Sequence, residues 1–261
     1  MTKPDRQSWP IVVFATSQPD GSVTAHIDPD RSIDDVPTWS LQTVNAGPSR
    51  ASSKYRQHLD ATVGSSYDWS DEMRFDKRTG QLRSFVLKMP EAGEVETAIA
   101  SSWISLPRQP GIPVLDEPED GFHIDPLDLR YLARDGSALL VTDGEIQLAS
   151  RQSLRLAIGN DIDLLFENGR YCGWILGNPA THLVAEPGEA APGSDEPRLH
   201  EPLHDYLGLV VEPNITRMND EDPELQEALQ SLRTRVRDIE GPGARVLLSA
   251  IERILDVFYP T

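Results

Sequence analysis

Residues 162–176 read IDLLFENGRYCGWIL. Asn168-Gly169 interrupts two apolar runs, and both turn residues tolerate the positive φ that a two-residue hairpin demands. The stretch predicts two antiparallel strands joined by a tight turn. Three more stretches carry the same signature: Ile11–Ile27 around Asp20-Gly21, Met73–Met89 around Thr79-Gly80, and Leu129–Val141 around Asp135-Gly136. Hairpins spaced in this way make residues 1–184 predominantly antiparallel sheet.

Two of the hairpins resemble each other. Gly80–Val95 (GQLRSFVLKMPEAGEV) lies over Gly169–Val184 (GRYCGWILGNPATHLV) at an offset of 89 residues. Gly80, Leu87, Pro90 and Val95 match Gly169, Leu176, Pro179 and Val184, and Phe85-Val86 lies over Trp174-Ile175. Either the chain contains an internal duplication, or two hairpins with Gly turns and Pro stops look alike at the best offset. Strand order separates the two, because a duplication requires the same order around both hairpins.

Beyond residue 221 the apolar period changes. Asp222 is placed to cap a helix whose first residue is Pro223, and Leu225, Leu229, Leu232, Val236 and Ile239 recur at spacings of four and three. Gly241-Pro242-Gly243 stops that helix. Leu247, Leu248, Ile251, Ile254, Leu255 and Phe258 then give a second one a broad apolar stripe. The expected fold class is α+β: a mostly antiparallel, hairpin-built body over 1–220, and an antiparallel helix pair over 221–261 packed on it as one compact unit.

The 261 residues include 42 acids, 24 bases and one cysteine, for a net charge of -18. A chain of this length buries about 70 to 75 per cent of its unfolded surface, so its core needs neither disulfide nor structural metal. Cys172 has no partner for an internal bridge. Met1–Pro10 lacks the apolar core of a signal peptide, and no apolar run approaches the roughly 20 residues of a membrane span. A soluble cytoplasmic protein is expected. The acidic excess repels phosphate backbones and anionic lipid, which disfavours nucleic-acid and membrane partners.

The charge is concentrated. Residues 91–120 hold seven acids against Arg108 alone, and residues 181–222 hold ten against Arg198 and Arg217. Both are rich in proline, and both read as exposed acidic loops, the second mobile around Ala185–Glu201. Such loops either keep the protein soluble or present a negative face to a basic partner.

The sequence holds no G-x-S-x-G, H-E-x-x-H, P-loop or C-x-x-C motif, and no cofactor or metal is expected from it. His-Ile-Asp-Pro occurs twice, placing His26 with Asp28 and His123 with Asp125 on one face of a strand each. These four could act as His-Asp catalytic pairs or, if the strands meet, as two nitrogen and two oxygen metal ligands; a strand running into a turn accounts for them equally. His200 and His204 sit at helical spacing around Pro202 and read as solvated loop residues. Cys172 reads as a small buried hydrophobe. Trp174 should be core. Trp69 lies among Asp68, Asp71 and Glu72, an aromatic ringed by carboxylates that suits an arginine or other cation of a partner.

The leading functional expectation is an acidic protein-binding module of immunity or antitoxin type. Its basic protein partner would be met by Trp69, Asp68, Asp71, Glu72, Asp116, Glu117, Glu119 and Asp120. One alternative is a metal-dependent or His/Asp-based enzyme acting on a small molecule. Another is an accessory subunit of a larger assembly, docking through the helix pair, where Arg233, Arg235 and Arg237 form a positive strip.

Overall fold

A computed structural model describes residues 12–14, 23–65, 69–118, 122–194 and 196–260. The chain begins with β1 (Val12–Phe14), β2 (Val23–Asp28), β3 (Thr38–Trp39), β4 (Thr43–Ala46), helix α1 (Tyr55–Ala61), β5 (Thr62–Gly64), β6 (Glu72–Asp76) and β7 (Leu82–Lys88). Next come β8 (Gly93–Glu94), α2 (Thr97–Ile104), β9 (Arg108–Pro110) and β10 (Ile112–Leu115). The second hairpin group is β11 (Leu129–Leu132), β12 (Ala138–Thr142), β13 (Ser153–Ala157), β14 (Ile162–Glu167) and β15 (Arg170–Gly177). Helices α3 (His200–Leu209), α4 (Asn214–Asn219), α5 (Pro223–Arg237) and α6 (Pro242–Phe258) complete an α+β fold. No helix among the described residues is long and apolar enough to cross a membrane.

The hairpins form as their sequences dictate. Asn168 and Gly169 take φ of 53° and 77°, the mirror-image turn that matches strand twist. β6–β7, β11–β12 and β14–β15 pair antiparallel, as do β1 and β2, whose Asp20-Gly21 turn lies outside the described residues.

Two five-stranded units share one topology. The small sheet has the order β3-β4-β7-β6-β5, and the larger sheet contains β11-β12-β15-β14-β13. In each, a hairpin is followed by a three-strand meander whose last strand returns beside the hairpin. The larger sheet is extended by β8 alongside β11, by β9 alongside β13, and by β10-β2-β1, which reaches β15 through β1. The same strand order is what an internal duplication requires. Even the irregularity recurs, since both meanders bulge at one place, between Arg74 and Phe75 and between Leu165 and Phe166. The bulged-out residues are Arg83 and Cys172, 89 positions apart.

One close approach is solved in mirror fashion. A Cβ on Gly173 would lie 2.3 Å from the Val141 carbonyl oxygen and 3.0 Å from the Thr142 Cα. The registers place Ser84 where Gly173 sits, and there room comes from the facing strand end: a Cβ on Gly47 would lie 2.4 Å from the Ser84 Cβ. Each pair carries one glycine, because two side chains do not fit.

The two sheets face each other across an aromatic centre. The Phe14 ring lies 5.7 Å from Phe75, 5.9 Å from Phe122 and 6.2 Å from Phe166. This core runs on without a break through Trp39, Leu87, Trp174 and Leu176 to Leu203, Leu229, Leu247 and Ile251 of the helices. A second cluster lies on the outer face of the larger sheet, where α2 lays Ala100 and Trp103 over Leu140, Leu165 and Ile175.

The C-terminal helices follow the sequence pattern. Asp222 caps α5 by accepting the Glu224 and Leu225 backbone N–H groups at 2.9 and 3.4 Å, and Leu225, Leu229, Leu232 and Val236 are buried. Two expectations are corrected. The acidic segments are not simply loops: 91–120 contains α2 and the fully buried strand β10, and 181–222 contains α3 and α4. Average composition concealed a periodic minority of apolar residues, Val95, Ala100 and Trp103 in the first and Leu199, Leu203, Tyr206 and Leu207 in the second. His200 and His204 accordingly stand on α3 rather than on a loop, with Pro202 tolerated in its first turn.

Arg130, 3% exposed on β11, fixes α3. Its guanidinium donates to the carbonyls of Pro90 at 2.8 Å, of Leu207 at 2.6 Å and of Val210. A cation is thereby set at the helix C-terminus, where carbonyl dipoles favour it.

Candidate functional site

The two units differ on their outward faces. In the larger sheet Tyr131, Ala138, Leu140, Leu165 and Ile175 point outward and pack with α2. The strand registers place Thr38, Thr43, Asn45, Arg74 and Val86 of the small sheet at the equivalent positions. These five side chains open into a groove of about 670 Å³, and no helix among the described residues lies across them as α2 lies across the larger sheet.

Strand alternation sets the floor. Glu72, Arg74, Ser84, Val86, Lys88, Thr43 and Asn45 share the outward face, while Phe85, Leu87, Met73 and Val44 point to the core. The segment carrying Asp35 and Val36 lines the groove, with Asp35 beside Pro48 and His58. The lining also includes Pro48, Ser49 and Arg50 with Tyr55 and His58 of α1, and Glu186–Glu189 approaches over Ser49.

Glu72 organises the floor. It is 6% exposed and accepts from Arg74 Nε at 2.9 Å and from Arg50 at 3.3 Å. Asp163 holds the equivalent position in the other unit, each acid facing its ladder partner, Val86 or Ile175. It too is gripped by two arginines, Arg108 at 2.7 Å and Arg155 at 2.6 Å. There the guanidinium has a second task, because Arg155 donates from its terminal nitrogen to the Ile104 carbonyl at the C-terminal end of α2. Arg74 makes no such bond among the described residues, and it lines the groove.

His58 Nε2 lies 2.8 Å from the Ser84 hydroxyl. Burial lowers the imidazole pKa, reinforced by the Arg74 guanidinium, so the ring is neutral at pH 7. A Ser-His pair can support nucleophilic chemistry. Ser84 is nevertheless buried and covered by Gly47, and the bond clamps α1 to the sheet.

Trp69 is 79% exposed, and Asp71 accepts the Lys88 backbone N–H at 2.7 Å, which sets this turn at the Lys88 end of the small sheet. The expected ring of carboxylates around Trp69 does not form from the described residues. Asp71 and Glu72 turn inward, because each has buried partners awaiting its oxygens, Tyr171 with the Lys88 N–H for one and two arginines for the other. Asp116 and Glu117 are exposed, and Asp68, Glu119 and Asp120 lie outside the described residues.

The His-Asp candidates separate as well. His26 bonds Asp116 at 2.9 Å rather than Asp28, whose carboxylate accepts the Asp30 N–H. His123 stands 3.8 Å from Asp125. Among the described residues no group of three or more His, Cys, Asp or Glu is gathered for a metal, so the four-ligand arrangement of His26, Asp28, His123 and Asp125 is not formed. Cys172 is 4% exposed with its thiol pKa pushed up by burial, the state of a packing residue. The positive strip on α5 is largely spent inside the chain, Arg235 on Asp205 and Arg237 on Glu252.

Sequence reasoning passed over Arg74, His58 and Ser84. The available signal was polar alternation on Thr43–Asn45 and Glu72–Arg74, which ordinarily means a solvated sheet face. Only the comparison with the covered face of the second unit singles it out. No family model matches the chain, and no curated protein matches it.

Proposed function

We propose that the protein is a non-catalytic binding module of immunity or antitoxin type, which engages a basic protein partner through the groove of the small sheet and the neighbouring Trp69. The observation that carries this reading is Trp69, a large aromatic left 79% exposed two residues before Asp71, which is bonded to Lys88 of the groove, while Arg50 and Arg74 line that groove. Tryptophan and arginine are the residue types on which binding energy concentrates when a partner excludes water from them.

Val36, 64% exposed, adds a second apolar contact in the groove lining. Asp35, Glu186 and Glu189 are exposed beside it and give the rim the sign that attracts a basic protein. The net charge of -18 extends that attraction by steering encounter.

The test is affinity capture from the native lysate at low and high salt, with wild-type protein and Trp69→Ala side by side. A basic protein retained at low salt, released at high salt and lost with Trp69→Ala is the expected result. Capture that ignores both salt and the substitution overturns the reading.

A further inference from the structure

We infer that a cavity of about 300 Å³ between β11, α3 and the start of α2 binds a small phosphate-type oxyanion, either inorganic phosphate or the phosphoryl group of a small metabolite. This second site shares no lining residue with the groove of the small sheet and does not depend on what that groove binds.

An uncompensated buried charge points to it. Arg130 lines the cavity and is 3% exposed, so its guanidinium is cut off from water. Its terminal nitrogens donate to the carbonyls of Pro90, Leu207 and Val210, which are neutral, and its Nε meets no acceptor among the described residues. A buried cation ordinarily has an anion beside it, because leaving water is costly unless an opposite charge replaces the lost hydration. The C-terminal end of α3 supplies only about half a unit of negative charge. Burial accordingly lowers the Arg130 pKa, and the fields of Glu91, Tyr206 and Glu94 offset that only in part.

The rest of the lining matches an oxyanion. Thr97 opens α2, whose cap residue Glu96 makes no side-chain bond to the first turn, and that turn holds no acid. Its N–H groups are left for an outside acceptor and carry the positive end of the helix dipole. Arg134 is exposed and forms no ion pair among the described residues, and His204 of α3 adds an imidazole. One lining carboxylate, Glu94, opposes them and is also exposed. Two arginines against one acid make the cavity locally positive in a chain of net charge -18. Its volume is at the small end for ligand cavities, which suits a phosphoryl group carrying little else.

Calorimetric titration of the full chain with inorganic phosphate and, separately, with glycerol phosphate at constant ionic strength tests this. Saturable binding at one site is expected, and tighter binding of glycerol phosphate would identify the organic source. Arg134→Ala should weaken binding at least about tenfold, the loss of a hydrogen bond between charged groups. Glu94→Gln should tighten it severalfold by removing the opposing carboxylate. Both side chains are exposed, so both variants should melt as the wild type does. Because the anion would touch α2, β11 and α3 together, saturation should also slow hydrogen exchange in His200–Leu209. Saturable binding of neither anion would overturn the site. Binding that neither substitution alters would place the anion elsewhere and overturn it equally.

Discussion

Tyr171 on β15 donates its hydroxyl hydrogen to Asp71 across 2.6 Å, tying the larger sheet to the small one where neither group meets water. The other Asp71 oxygen accepts the Lys88 N–H at 2.7 Å. Desolvation still outweighs these bonds and lifts the carboxyl pKa to about 6. Tyr171→Phe leaves a buried carboxylate with one donor fewer. It should cost about 1.5 to 3 kcal/mol, the range for a hydrogen bond to a charged group. Urea denaturation at pH 7 measures it, and a loss below about 0.5 kcal/mol would mean that water replaces the hydroxyl.

The same carboxyl shapes the acid side of the stability curve. Between an unfolded value near 3.8 and a folded value of about 6, the native state holds a proton that the unfolded chain has released. Asp71 therefore contributes a stability that declines as pH rises through this window, by about 3 kcal/mol in order of magnitude. His58 acts in the opposite sense: its lowered pKa gives a contribution present above 6.5 and lost as pH falls. Asp71→Asn removes the first effect alone. Wild type minus Asp71→Asn stability, followed from pH 4 to pH 7, should fall with rising pH; a flat difference would show that Asp71 does not titrate there.

Glu72 and Asp163 occupy equivalent places but should not cost the same to remove. Asp163 neutralises Arg155, whose side chain is 12% exposed and which also holds the end of α2. Asp163→Ala strands that cation, at a cost of about 3 to 5 kcal/mol. Glu72 pairs with Arg50, 69% exposed and free to turn to water, and with Arg74, 15% exposed, which holds no helix end among the described residues. Glu72→Ala should cost about half as much. Equal losses in parallel denaturant titrations would contradict the difference drawn between a covered and an open face.

How much of this was legible in the sequence follows from the range of the forces involved. Asn168-Gly169 and Asp222-Pro223 act on their own neighbours, so the turn and the cap could be read directly. The likeness of Leu87 to Leu176 and Val86 to Ile175 was visible too, because these residues sit on β7 and β15, which align without a gap. The acid pair Glu72 and Asp163 was hidden, since the β6–β7 connection is two residues longer than the Asn168-Gly169 turn and shifts β6 out of the 89-residue offset. Arg50 and Arg108 reach these acids across 22 and 55 residues, distances no local pattern encodes. Acidic content hid α3 for a different reason: its stability comes from Leu203, Tyr206 and Leu207 packing on the core and from Arg130, both tertiary.

Arg130 supplies a local prediction. Its terminal nitrogens satisfy carbonyls of Pro90, Leu207 and Val210 in a buried place. Arg130→Met keeps much of the apolar stem but strands these three acceptors, costing about 3 to 5 kcal/mol. Hydrogen exchange should accelerate first in His200–Leu209 while β12 and β15 stay protected. Uniform acceleration would mean that α3 and the sheets unfold as one unit.

The two tryptophans of contrasting exposure separate fold from function. Trp103 is 1% exposed, donates its indole N–H to the Gln147 carbonyl at 2.8 Å and anchors α2. Trp103→Ala should lose about 3 to 5 kcal/mol through the cavity it leaves. Trp69 is 79% exposed and its loss should change stability by less than about 0.5 kcal/mol, because little surface returns to water. In the proposed binding module the use of so exposed an aromatic is a contact made outside the chain. Trp69→Ala should then weaken partner capture at least tenfold, about 1.4 kcal/mol, with an unchanged melting curve. A variant that melts early with capture intact would return Trp69 to the fold and leave the groove without its aromatic anchor.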